Sequence, residues 1–206
     1  MDAIIFDMDG TMWDAVDEIV HSWNTVLEAK NVDKVITRKE MQSCMGMLLE
    51  DIVDKMIPMV DEADKDQFRY EMCQYEQEYI SKHGGKLYPG LEKTLEYLSG
   101  KYELYIVSNC QHGYIQSFFN AHGLEKYFQD FECAGSTGLN KMENILLLAH
   151  RNSLTSYAYV GDTLHDMEAA REAGAQAIYA SYGFGQADSS KYDIEIESLE
   201  ELMEIF

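Results

Sequence analysis

Positive charge is scarce in this chain. Sixteen Lys and Arg stand against 37 Asp and Glu, a formal net charge of −21. Nucleic acid and anionic membrane are thereby excluded as expected partners, because both are held through clustered Lys and Arg. Proline is scarcer still: only Pro58 and Pro89 occur, and no repeat or low-complexity segment divides the chain. The four cysteines, Cys44, Cys73, Cys110 and Cys133, form no Cys-x-x-Cys pair and match no zinc spacing. They read as reduced, buried thiols of a cytosolic protein. No apolar run approaches transmembrane length, and Asp2, Asp7 and Asp9 interrupt any signal-peptide layout, so the expected location is cytoplasmic. What remains is an ordinary soluble composition, 46% apolar and 26% charged. The 206 residues suffice for one well-cored domain, or for a core carrying an inserted subdomain.

The most informative residues lie near the amino terminus. Ala3-Ile4-Ile5-Phe6 is too short for a helix and apolar enough for a buried strand. Asp7-Met8-Asp9-Gly10-Thr11 follows directly. Side chains alternate along a strand, so Asp7 and Asp9 project on the same side. Two like charges placed together repel unless a cation neutralises them or chemistry uses them. Gly10 and Thr11 then allow a tight turn that offers N–H groups and a hydroxyl to an anion.

From about residue 14 to 86 the pattern is helical. Val16, Ile19, Val20, Trp23, Val26 and Leu27 line one helix face, with Asp14 as its expected cap. Thr37 to Glu40 reads as a capping box, and further helices are expected over Leu48 to Met56 and about Glu62 to Lys82. In the last of these, Phe68, Met72, Tyr75 and Tyr79 are expected on one side, and no strand is expected in this block. Trp13 and Trp23 read as packing residues. After Gly90 strands and helices alternate, which calls for a parallel sheet covered on both faces. Strands are expected to end at Ser108-Asn109 and at Gly161-Asp162-Thr163, and a helix is expected from Lys141 to Arg151. Ligands of such sheets bind at the carboxyl ends of the strands, so these sites can converge although they are far apart in sequence.

As one set, the residues suit phosphoryl transfer. Asp7 can attack phosphorus to give an acyl phosphate, and Asp9 can protonate the leaving oxygen and later deprotonate water. Asp162 and Asp166 suit Mg²⁺, a hard cation that takes oxygen ligands. Ser108, Thr11 and backbone N–H groups can hold phosphoryl oxygens, and Lys141 can supply a fixed positive charge. The acidic surface repels a phosphorylated substrate, so a local cation and at least one placed Lys are required. The six His residues show no metal-binding spacing, and His112 and His165 read as bystanders.

Asp7-Met8-Asp9-Gly10-Thr11, Ser108-Asn109, Lys141 and Gly161-Asp162-Thr163-Leu164-His165-Asp166 resemble, in this order, the four motifs of the haloacid dehalogenase-like hydrolases. The resemblance spans essentially the whole chain and is strongest to the phosphoglycolate phosphatase and β-phosphoglucomutase branch. It implies an α/β fold: a Rossmann-like three-layer core with a parallel sheet (1–13 and 87–206) and an inserted small α-helical cap (14–86). It implies Asp7 as nucleophile and metal ligand, and Asp9 as acid/base that binds Mg²⁺ through its backbone carbonyl. Ser108 and Lys141 would bind the phosphoryl group beside Gly10, Thr11 and Asn109. Asp162 would ligate the metal and Asp166 would support it. An acid at Asp9 favours phosphate esters over dehalogenation. Two departures stand out: Met142, not Pro, follows Lys141, and the hinge run is Met12-Trp13-Asp14-Ala15.

The expected activity is therefore Mg²⁺-dependent hydrolysis of a small phosphorylated metabolite by a monomer or homodimer. The rivals are a sugar phosphomutase or pyrophosphatase on the same fold and, more remotely, a phospho-acceptor signalling domain. A mutase needs extra cations for its second phosphate, with Arg38, Lys39, Lys55 and Arg69 as candidates.

Overall fold

The computed structural model describes residues 1–206. Strand β1 (Ala3–Phe6) is followed by β2 (Trp13–Asp14) and by four helices, α1 (Val16–Ala29), α2 (Arg38–Gln42), α3 (Leu49–Met56) and α4 (Glu62–His83). Strand β3 (Lys86–Leu87), α5 (Leu91–Ser99), β4 (Glu103–Ser108), α6 (Tyr114–His122), β5 (Asp130–Cys133) and α7 (Ala134–Thr137) come next. Then come α8 (Lys141–Arg151), β6 (Tyr157–Gly161), α9 (Leu164–Glu172), β7 (Gln176–Ala180), β8 (Ile194–Ile196) and α10 (Leu202–Ile205).

Six strands form one sheet in the order β5-β4-β1-β6-β7-β8, with every neighbouring pair parallel. β1 lies between β4 and β6, where the chain order reverses, so the crevice opens beyond the end of β1. Both faces of the sheet are covered. Ile4 and Phe6 enter the larger apolar cluster, which also holds residues of α1, α3 and α4. Ala3 and Ile5 enter a second cluster on the other face, with residues of α8 and α9. No helix is long and apolar enough to cross a membrane.

Local structure departs from the sequence reading in four places. Trp13–Asp14 pairs antiparallel with Lys86–Leu87, so the helical segment is entered and left through a two-stranded ribbon. The N-cap of α1 is Ala15. Asp14 accepts the Val16 N–H at 3.1 Å but also pairs with Arg38, which draws it off the cap position. On α4 the inward residues are Phe68, Met72, Glu76 and Ile80, whereas Tyr75 is exposed. The aromatics at 75 and 79 are rotated off the stripe that the spacing of four sets from Phe68. Lastly, α7 is a single short turn without a signature in the residue pattern.

Candidate active site

β1 delivers Asp7 into the crevice, where it is 2% exposed. The next turn is built on Gly10, whose φ of +85° belongs to the left-handed region that glycine tolerates. A Cβ at Gly10 would lie 2.3 Å from Asp162 Oδ2, so glycine also makes room for that carboxylate. The turn commits its own donors. Gly10 N–H donates to Trp13 O, Thr11 N–H to Met8 O, and Thr11 Oγ1 to Asp162 Oδ1 at 3.3 Å. Gly10 and Thr11 thus shape the turn and brace Asp162.

β6 delivers Asp162, which is fully buried. Its Oδ2 accepts the Phe184 N–H at 2.8 Å and the Gly185 N–H at 3.2 Å. Helix α9 delivers Asp166 through a capping box: Asp166 Oδ2 accepts from Thr163 N–H at 2.9 Å and from Thr163 Oγ1 at 2.6 Å. The other oxygen, Asp166 Oδ1, accepts from Lys141 Nζ. Lys141 opens α8, is 1% exposed, and also donates to Asp7 Oδ1 at 3.0 Å. Ser108 and Asn109 end β4 beside this group and are buried. Asn109 Nδ2 donates to Gly46 O at 2.9 Å, which ties the loop before α3 to the sheet. Asp9 is half-buried and lines the same cleft as Asp7. Its Oδ1 accepts from Tyr114 OH at 2.9 Å.

Carboxylate oxygens of Asp7, Asp162 and Asp166 lie within 4.8 Å of one another. The one ammonium paired with this buried group is Lys141, so negative charge is in surplus. The strain shows in proton affinity. Burial pushes Asp7 up to about 6 against the pull of Lys141. Burial, with the Asp166 and Asp7 charges, pushes Asp162 up to about 8. Asp166 is buried too, but Lys141 outweighs that and holds it below its ordinary value. Burial raises Asp9 well above the usual carboxylate range, against the Tyr114 hydrogen bond. Three hard oxygen donors with unbalanced charge fit a divalent cation bound by Asp7, Asp162 and Asp166. The Asp9 side chain lies outside that cluster.

With Asp7, Asp9, Ser108, Lys141, Asp162 and Asp166 thus gathered at the strand ends, residues 4–180 match the model of a family described as haloacid dehalogenase-like hydrolase. The chain belongs to this family. A phosphoglycolate phosphatase of Vibrio parahaemolyticus is 24% identical over 218 residues, covering 98% of this chain and 94% of the relative. A haloacid dehalogenase-like family protein of Streptococcus pneumoniae superposes with a TM-score of 0.83 at 22% identity, covering 100% of this chain and 98% of that one. A β-phosphoglucomutase of Clostridium difficile superposes with a TM-score of 0.77 at 19% identity, covering 98% and 93%. The family of hydrolases replaces the signalling-domain reading.

The cations considered for a second phosphate lie away from the cleft. Arg38 pairs with Asp14 and Asp17, and Arg69 with Asp66. Lys39 and Lys55 are exposed, and Lys55 Nζ lies 3.4 Å from Ser43 O. None of the four lines the cleft that holds Asp7 and Asp9. Three groups escaped the sequence reading. The Phe184 and Gly185 amides carry no side-chain signature. Tyr114 was not singled out. Glu76 carries no motif and was not singled out.

Proposed function

We propose that the protein is a Mg²⁺-dependent phosphatase that hydrolyses a small phosphate monoester through an aspartyl phosphate on Asp7. The observation that supports this most is the joint placement of Asp7, Lys141, Asp166 and Asp162, with the separately held Asp9 beside them. Asp7 attacks phosphorus, forming an acyl phosphate as the ester oxygen departs. Asp9, held by Tyr114 beside the leaving group, delivers a proton to that oxygen. Asp9 then accepts a proton from the water that attacks phosphorus, and the Asp7 carboxylate and inorganic phosphate are released. Tyr114 holds Asp9 in place through both steps. Lys141 and Ser108 bind the non-bridging oxygens, with Asn109 at their border. Asp7, Asp162, Asp166 and the Asp9 carbonyl would hold Mg²⁺, which would supply positive charge against Asp7, the substrate phosphate and the transition state.

On this reading residues 1–13 and 87–206 are the catalytic core, and 14–86 are a cap that excludes water and sets the leaving group. The cytoplasm is the proposed location. Inorganic phosphate release from a panel of phosphate esters and pyrophosphate, with Mg²⁺ and with chelator, tests the reading. Metal-dependent release that vanishes in Asp7→Asn supports it. Release that survives Asp7→Asn removes Asp7 as nucleophile.

A further inference from the structure

The cleft over Asp7 and Asp9 is small, with a cavity of about 50 Å³. Its roof is apolar, built from side chains such as Ile19, Trp23, Met41 and Ile52 of α1 to α3. One charged side chain enters from the helical segment: Glu76 of α4, 2% exposed. No Lys, Arg or His lines this cleft.

Glu76 is held from two sides. Trp23 Nε1 donates to Oε2 at 2.5 Å, and Gln111 Nε2 donates to Oε1. Both oxygens therefore accept, which favours the ionised form. Its neighbours along the inward stripe are Phe68, Met72 and Ile80. A carboxylate among them is costly, and a neutral Gln would still accept from Trp23 and, with the Gln111 amide turned over, donate to it. Packing alone thus accounts for the position but not for the charge.

The cavity that Glu76 lines also contains Asp9. Asp9 protonates the leaving oxygen, so the leaving group lies in this cavity, towards Glu76. We infer that Glu76 selects the leaving group: the substrate is the phosphate ester of a small alcohol that presents a hydroxyl or ammonium donor, and esters bearing a carboxylate are rejected. The inference rests on the phosphatase reading and narrows its substrate class. A donor gains a charge-assisted hydrogen bond to a buried carboxylate. A carboxylate in its place meets the Glu76 carboxylate with no lining cation to offset it. Phosphoglycolate carries such a carboxylate, so this chain parts here from the activity for which several of its relatives are named.

Three esters of nearly equal size test this at pH 8, in Mg²⁺: ethylene glycol phosphate, phosphoethanolamine and phosphoglycolate. The expected wild-type kcat/KM for one or both of the first two exceeds that for phosphoglycolate by about tenfold or more, as like-charge contact predicts. In Glu76→Gln the phosphoglycolate value should rise relative to the others by about the same factor. Ratios within one preparation do not depend on how much protein is folded, and the wild-type order decides alone should the variant not fold. Phosphoglycolate equal or preferred in the wild type overturns the inference, as does an unchanged order in well-folded Glu76→Gln. If no ester, p-nitrophenyl phosphate included, is hydrolysed, the phosphatase reading fails separately. Calorimetric binding of the same three esters to Mg²⁺-loaded protein then decides on Glu76: weakest binding of phosphoglycolate supports its role, and equal or tighter binding overturns it.

Discussion

Lys141 Nζ lies 3.0 Å from Asp7 Oδ1, across 134 positions of sequence. The same ammonium reaches Asp166, so one buried cation balances two carboxylates. Replacing it with Met leaves both uncompensated. In metal-free protein Lys141→Met should lose about 3–5 kcal/mol of stability, read from urea unfolding. Phosphate release should fall with it, and added Mg²⁺ should restore more of the stability than of the activity.

Asp7→Asn keeps the shape of the residue and removes the oxygen proposed as nucleophile. Turnover should drop by about 10³-fold or more, as for other nucleophile deletions. Circular dichroism and melting should show a folded protein, which separates loss of chemistry from loss of fold.

Metal binding should be visible without any substrate. A cation held only by the folded state adds about 2.7 kcal/mol at a hundred times its dissociation constant. Mg²⁺ should therefore raise the melting temperature of wild-type protein, and chelator should reverse the rise. Asp162→Asn should abolish the shift, because it removes one of the three clustered carboxylates.

Gly10→Ala tests the turn. The new Cβ would meet Asp162 Oδ2 at 2.3 Å and would sit on a backbone with φ of +85°. A loss of about 1–3 kcal/mol is expected from the conformation alone. The displaced Asp162 should also weaken the Mg²⁺-induced melting shift, a readout that simple backbone strain elsewhere would not change.

Glu76 makes stability depend on pH. Burial pushes its carboxyl from 4.5 up to about 7, against the Trp23 and Gln111 donors. Between those values the unfolded chain has released this proton and the folded chain keeps it. Folded protein binds more protons there, so stability falls as pH rises through the window. The charged or titratable groups facing it are Asp9, Tyr114 and Cys73. Asp9 and Cys73 also have raised proton affinities, so the comparison must be differential. The melting temperature of Glu76→Gln minus that of wild type should increase from about pH 5 to about pH 8 by several degrees. A flat difference would show that Glu76 keeps one charge state throughout.

The catalytic end of the sheet was legible because its signals are local. Asp7 and Asp9 follow an apolar run, and Asp162 follows another, so the strand ends could be read from residue type alone. Asp166 was legible as a metal-site carboxylate, whereas its pairing with the Thr163 cap emerges only in the fold. The cap side of the site was not legible. Glu76 sits in a helix whose residues are mostly polar, and a burial stripe at a spacing of four is hidden when one of its members is charged. Tyr75 and Tyr79 stood out instead, since aromatics dominate any count of apolar residues. The Phe184 and Gly185 amides act through backbone alone, and any residue type could have supplied them. Gly10 and Thr11 were read as anion donors. Their hydrogen bonds to Trp13, Met8 and Asp162 emerge only once the turn is folded.

Trp13–Asp14 and Lys86–Leu87, paired to each other, form the doorway of the helical segment. Because both crossings are fixed side by side, the distance between them does not depend on what lies between. Whole helices can be lengthened, exchanged or reshuffled there while the register of the six-stranded sheet is preserved. Inheritance can therefore treat the segment as a cassette. If Glu76 selects the leaving group as proposed, a lineage can change that choice by altering Glu76 and its neighbours, while Asp7, Lys141 and Asp162 stay where β1, α8 and β6 hold them.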